Sequence, residues 1–315
     1  MHSFYKPLAG AGAAAGLEPE AGPFSLKDEK AYAAWRSAKL AAYPKSAAEL
    51  RIEVADLAAP TPAEREALLT LCGRANMALY DAGKLGRDAL KVRPALRALA
   101  DAMNMRHVED HRSGEADGIV AIEVANEGGR AGYIPYSTRP ISWHTDGYYN
   151  YHGPARCVQA MVLHCARDAP EGGVNSLLDQ DIAYIRLRDR DPAFIAALMH
   201  PEAMTLPAGE EAHGRPRPEN TGPVFFVDPA TGALVMRYTA RKRYVSWRQD
   251  PATRAALAAL DEVLQNDPLI LTYKMRPGEG MVCNNVLHTR TGFDNGGAPA
   301  GRLLYRVRYY GRVAG

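Results

Sequence analysis

The chain has 315 residues, 47% of them apolar, enough for one large or two small domains with a sizeable buried core. Its 38 basic and 36 acidic side chains leave a net charge of +2, which gives no electrostatic ground for a nucleic-acid or membrane-surface partner. Cys72, Cys157, Cys165 and Cys283 show no paired spacing, and no apolar run approaches the ~18 residues of a membrane span; the expectation is a cytoplasmic chain with reduced thiols.

Residues 1–25 are rich in Ala, Gly and Pro and read as a flexible tail, without the basic start and long apolar run of a signal peptide. Residues 26–110 read as helical. Thr61-Pro62-Ala63-Glu64 is a capping box with proline at the first helical position, and Leu68, Leu69, Leu71, Cys72, Met77 and Leu79 follow at roughly helical spacing. A second helix is expected over 87–103, with an irregularity at Pro94. The character then changes to short strands at 118–124, 133–136, 141–143 and 157–165. Helices interrupt at 181–188 and after Asp191-Pro192, and 207–222 reads as a long loop of the kind that forms lids. Strands follow at 224–227 and 234–238, then a helix from Asp250-Pro251 to about Asn266, then strands near 269–275, 280–284 and 302–310. Helices first and many short strands after predict a mainly β chain with α: a double-stranded β-helix (jelly-roll) core over 111–315 with helical insertions, joined to the helical part in one domain over 26–315.

Three His-x-Asp/Glu triplets occur: His107-Val-Glu109, His144-Thr-Asp146 and His200-Pro-Glu202. On an extended strand residues i and i+2 face one side, so both side chains reach one metal. His144 follows an extended segment and precedes Gly147, whereas His107 and His200 end helical patterns, where that geometry is not offered. His107 and His111 lie four apart, but a zincin helix needs Glu directly after the first His and the chain has Val108. The third ligand is expected at His288, after an apolar strand. Two imidazoles and one carboxylate suit Fe(II) with open coordination positions.

Asn295-Gly296 is a hairpin signal. A symmetric hairpin centred on 295 sets 288 opposite 302 and projects Arg302 beside the metal. In the last strand Arg302, Leu304, Arg306 and Arg308 share one face, and Leu303, Tyr305, Val307 and Tyr309 the other. Arginines facing a barrel interior need anionic partners. Arg302 and Arg306 stand roughly 13 Å apart at ~3.3 Å per residue, which suits two anions, cosubstrate and substrate.

The chain resembles the taurine/2,4-dichlorophenoxyacetate dioxygenase (TauD/TfdA) superfamily. The resemblance rests on Tyr133-Ile-Pro-Tyr136, Trp143-His-Thr-Asp-Gly147, Leu163-His-Cys165, Gly172-Gly173 with Leu177-Leu178-Asp179, Met236-Arg-Tyr238, Pro277-Gly278, Asn285-Val-Leu-His288 and Arg302-Leu-Leu-Tyr-Arg306, and covers roughly 117–310. It implies iron on His144, Asp146 and His288, and 2-oxoglutarate and O2 as cosubstrates, with Arg302 holding the distal carboxylate. Members often offer a threonine two residues after the Gly-Gly pair; this chain has Asn175 there, with Ser176 beside it. Arg306 matches a position that often binds an acidic substrate group. The carboxylate of Asp146 favours hydroxylation over halogenation, whose practitioners lack it.

The implied activity is hydroxylation of an unactivated C–H bond in a small carboxylate, amino acid, betaine or sulfonate, with release of succinate and CO2. Tyr148 and Tyr149, directly after the first two ligands, and Tyr136 are the further candidates to line the substrate pocket, with Asn150 beside them. The basic run Arg241-Lys242-Arg243 reads as a solvated face. Three rivals stay open: a metal-dependent barrel enzyme without 2-oxoglutarate, a non-enzymatic barrel, and a zinc hydrolase on His107 and His111. The substrate is a small molecule; a homo-oligomer stays open.

Overall fold

The computed structural model describes residues 19–83, 89–109, 115–210, 216–297 and 300–314, so His111 lies outside the described residues. Five of its described α-helices, all but Ala89–Ala102, begin where the sequence supplies a cap. Asp28 accepts from Ala31 N at the start of α1 (Glu29–Ala42). In α2 (Pro62–Ala75) the capping box forms: Thr61 Oγ1 accepts from Glu64 N, and Glu64 Oε2 accepts from Thr61 N at 2.7 Å. α3 (Ala89–Ala102) carries Pro94 inside it. Asp179, Asp191 and Asp250 cap α4 (Gln180–Arg190), α5 (Pro192–Leu198) and α6 (Pro251–Asn266).

Two sheets dominate a mixed α/β arrangement of several sheets. The strands of the first are β1 (Arg51–Glu53), β2 (Met77–Asp81), β3 (Val120–Ile122), β5 (Ala160–Arg167), β8 (Glu279–Cys283) and β10 (Leu303–Tyr309), in the order β1-β2-β8-β5-β10-β3. The second is formed by β4 (Ile141–His144), β6 (Asn175–Leu178), β7 (Leu271–Tyr273) and β9 (Leu287–Arg290), in the order β7-β6-β9-β4. Only β1 with β2 is parallel among these pairs. The alternation expected of the last strand holds: Leu303, Tyr305, Val307 and Tyr309 lie in the main core, whereas Leu304 joins a separate apolar patch with Val120, Ile122, Tyr136, Leu163, Cys165 and Met275. All four cysteines are buried and unpaired.

Several expectations are corrected. Met77 and Leu79 are not helical: Asn76 ends α2 in the left-handed region (φ 54°), and β2 inserts beside β8. The N-terminal third therefore contributes strands to the first sheet. The last residues of the expected tail are packed: Phe24 is buried edge-on to Trp35 (4.9 Å) and Tyr184 (5.6 Å), and Arg188 donates to the carbonyls of Pro23 and Ser25 at 2.9 Å each. Ile134–Tyr136 is a 3-10 turn rather than an extended piece. The described part of 207–222 is ordered into short pairs, Gly209–Glu210 with Pro216–Arg217 and Asn220–Gly222 with Met204–Leu206.

The 288/302 hairpin does not form. β9 pairs with β4 and β6, while β10 pairs with β5 and β3 in the other sheet. Phe293–Asp294 pairs instead with Glu171–Gly172, and Gly296 and Gly297 (φ 60° and 70°) turn the chain across to the first sheet.

A buried ionic cluster fastens α1 to α4. Lys39 Nζ lies 2.6 Å from Asp179 and 2.8 Å from Asp181, and Asn76 donates to both carboxylates. Lys39→Met removes the cation and leaves two carboxylates buried together, so a loss of about 3–5 kcal/mol is expected in denaturant unfolding.

Candidate metal centre

β4 and β9 run side by side, so His144 and His288 are direct cross-strand partners with ring centres 4.2 Å apart. Asp146 follows two residues on. The intervening Thr145 is turned away and locked, with Thr145 N donating to Tyr238 O and Tyr238 N donating to Thr145 Oγ1, both at 3.0 Å. Asn285, itself left-handed (φ 52°), clamps the Asp146 backbone: its Oδ1 accepts from Asp146 N (2.7 Å) and its Nδ2 donates to Asp146 O (2.9 Å) and Val158 O (2.7 Å). The chain then leaves through Gly147 at φ +67°, where a Cβ would stand 2.4 Å from Val158 Cγ2. Gly147→Ala combines backbone strain with a clash, and a loss of about 2–4 kcal/mol in urea unfolding is expected, with weaker metal retention.

The imidazoles are set for coordination. Nδ1 of His144 lies 2.9 Å from Ser142 O, and Nδ1 of His288 lies 2.9 Å from Val286 O. A carbonyl only accepts, so each Nδ1 carries the proton and each Nε2 offers a lone pair. Burial, reinforced by His288, lowers the pKa of His144 to about 3; burial likewise lowers that of His288. Both rings are therefore neutral near pH 7. Burial alone would raise the pKa of Asp146, but the guanidinium groups of Arg306 and Arg308 outweigh it and hold the carboxyl ionised. Its Oδ1 meets Arg306 at 3.1 Å, while its Oδ2 is buried with no hydrogen-bond partner. Ligand atoms of His144, Asp146 and His288 lie within 4.8 Å of one another. Two neutral nitrogen donors and one orphaned carboxylate oxygen fit a divalent metal.

Around this cluster the first sheet supplies cations. Arg306, 9% exposed, reaches Asp146 from β10, so the two sheets face each other across the site; its Nε is a buried donor without a partner. Sequence reasoning reserved Arg306 for substrate, and the structure adds its contact with Asp146. Arg308 is bound by Glu109 and donates to the Tyr149 hydroxyl at 3.1 Å, and Asn150 Nδ2 donates to Glu109 at 2.9 Å. Arg302 does not touch the cluster. Its guanidinium lies by Gly173, where a Cβ would stand 3.3 Å from Nε, and 5.2 Å from the centre of the Phe293 ring. It forms no ion pair among the described residues, and burial lowers its pKa to about 10.

The other candidates are dispersed around these groups. Asn175 Nδ2 donates to Thr289 O (2.7 Å), next to His288, and its Oδ1 is buried without a partner. Tyr148 packs edge-on to His144 at 6.4 Å and against Tyr149 at 5.4 Å. Tyr136 sits in the apolar patch beside Leu304, and a cleft of about 360 Å³ opens next to it, lined also by Glu123, Glu127 and Arg130. That cleft adjoins the patch through Tyr136, and its lining does not include His144, Asp146 or His288. His107 and His200 stand apart; His200 Nδ1 accepts from Glu202 N at 3.1 Å, a local turn contact, and Glu109 is consumed by Arg308. Lys242 and Arg243 are exposed, as expected of a solvated face.

Sequence reasoning missed the supports. Asn285 bridges to Asp146 across 139 residues, and Arg237, fully buried, donates to Tyr148 O, Met204 O, Gly222 O and Asn220 O, tying the 204–222 segment to the tyrosine after the site. Their only sequence signal is membership of short motifs, which does not reveal what they touch.

The sequence profile of the taurine catabolism dioxygenase TauD, TfdA family matches residues 87–308. A uridine-5'-phosphate dioxygenase from Amycolatopsis sp is 31% identical over 177 residues, 53% of this chain and 60% of that protein, so the match spans less than two thirds of the relative. An asparagine oxygenase, solved with Fe(II), 2S,3S-3-hydroxyasparagine and succinate, shares the fold at a TM-score of 0.57 and 14% identity over 78% of each chain. The non-heme iron oxygenase OrfP, solved with Fe, succinate and (3S)-hydroxy-L-Arg, does so at 0.56 and 18% over 80% of this chain and 81% of its own. Among the described residues no helix is long and apolar enough to cross a membrane.

Proposed function

Since this chain belongs to the TauD/TfdA family of dioxygenases, we propose that it is an Fe(II)- and 2-oxoglutarate-dependent oxygenase that hydroxylates a small anionic or zwitterionic substrate. The observation that carries this is the convergence of His144, Asp146 and His288 with one carboxylate oxygen left unpartnered. These three residues hold the iron. Bound iron and 2-oxoglutarate supply the oxidising power, with O2 consumed, succinate and CO2 released, and a C–H bond converted to C–OH.

The chain's own part is coordination, orientation and exclusion of water. Asn285 and Gly147 fix where the Asp146 carboxylate points, and Ser142 O and Val286 O fix the two ring tautomers. Arg302 pairs with the distal carboxylate of 2-oxoglutarate; a buried guanidinium without an ion-pair partner is a receptor for that anion. Asn175, bonded to the strand that carries His288, borders the same subsite. Arg306 keeps one nitrogen on Asp146 and offers its unpartnered Nε edge to an acidic group of the substrate. Tyr148 and Tyr149 wall the space beside His144. An anionic substrate agrees with the relative named for uridine-5'-phosphate, and amino-acid substrates with the hydroxylated products in two structural neighbours.

The two main sheets are the halves of a double-stranded β-helix, and residues 26–315 form one oxygenase domain. Turnover is tested by incubating iron-loaded protein with 2-oxoglutarate, O2 and panels of small acids, amino acids and nucleoside monophosphates. Substrate-stimulated succinate release supports the reading; release unaffected by omitting iron argues against it.

A further inference from the structure

We propose that Arg290 is a second cationic residue of the 2-oxoglutarate carboxylate subsite, acting beside Arg302; the inference rests on the oxygenase reading above. Arg290 is two residues from His288 on β9, and the register against β4 slips between them. It is 4% exposed and Arg302 is 5% exposed. The guanidinium carbons lie 4.7 Å and 5.2 Å from the centre of the same ring, Phe293, so two buried charges share one neighbour. Neither has a carboxylate within ion-pairing distance among the described residues.

Arg290 donates to Ser137 O at 2.8 Å and to Arg139 O, while its Nε is buried without a partner. Those carbonyls fix the guanidinium but do not neutralise it. Two like charges in a poorly solvated space are costly until an anion arrives. Gly173 supplies the room, since any side chain there would crowd Arg302. The pair therefore selects a full negative charge at the far end of the cosubstrate, not merely a hydrogen-bond acceptor. A residue that only pins the 137–139 turn to β9 would be indifferent to that charge.

The test compares 2-oxoglutarate with 2-oxoglutaramate, whose distal end is a neutral amide, by calorimetric titration of anaerobic Fe(II) protein. Wild type is expected to prefer the acid by about 100-fold or more, Arg290→Met to reduce that preference by about 10-fold, and Arg290→Lys to restore it to within about 3-fold. Arg290→Gln, which keeps a donor for the two carbonyls, replaces Arg290→Met if thermal melting shows the latter unfolded. A preference unchanged in the neutral variant, with both ligands weakened alike or not at all, overturns the inference and leaves the oxygenase reading standing. Wild type that binds neither ligand overturns both.

Discussion

Asp146→Ala is expected to strip the protein of retained iron and to lower substrate-dependent succinate release by at least about 1,000-fold. The substitution removes the only anionic ligand of the proposed set, leaving two neutral imidazoles to hold a dication. It also deletes the counter-charge of Arg306, whose contact among the described carboxylates is Asp146. A buried guanidinium facing an empty position repels the metal as well as failing to support it. Metal content after gel filtration separates this from unfolding, provided the melting curve stays cooperative. Iron retained in wild-type stoichiometry by Asp146→Ala would remove Asp146 from the ligand set.

Arg302→Ala is expected to weaken 2-oxoglutarate by ~2–5 kcal/mol, roughly 30- to 4,000-fold in affinity, with iron content unchanged. The size follows from burial: the distal carboxylate would lose a charge-assisted partner where water cannot replace it. Because Arg302 touches neither histidine nor Asp146, its loss should appear in the 2-oxoglutarate KM and leave metal binding intact. A variant with unaltered KM would move the cosubstrate anchor elsewhere in the fold.

The candidate metal ligands were legible because their placement is local. His144 and Asp146 need only an extended backbone to share a side; His288, expected at the end of an apolar strand, lies instead within β9, directly across from His144. The face of β10 that carries Arg306 and Arg308 was legible for the same reason, since period-two alternation needs no knowledge of the partner strand. The hairpin failed because Asn295-Gly296 says where the chain reverses and not which sheet receives it. That choice is made by Glu171–Gly172, more than a hundred residues away, which captures Phe293–Asp294. β2 was hidden by its position: Met77 and Leu79 continue the apolar spacing of α2, and only the left-handed Asn76 breaks it.

The contacts that hold the site in place were not legible, although Asn285 and Arg237 stand in recognisable short motifs. Asn285, Arg237 and Arg290 act through contacts with main-chain atoms remote in sequence, and a carbonyl acceptor carries no residue identity to be read in advance. Glu109 illustrates the reverse. It stands between two histidines, in a zinc reading that Val108 already disfavoured, and its carboxylate is taken by Arg308 and Asn150.

The most direct test adds 2-oxoglutarate to anaerobic Fe(II) protein and records the visible spectrum. A metal-to-ligand charge-transfer band in wild type, weakened at equal 2-oxoglutarate in Arg302→Ala and lost in Asp146→Ala, is the predicted result. No band in iron-loaded wild type would contradict the account, because iron and 2-oxoglutarate would then not meet in this site.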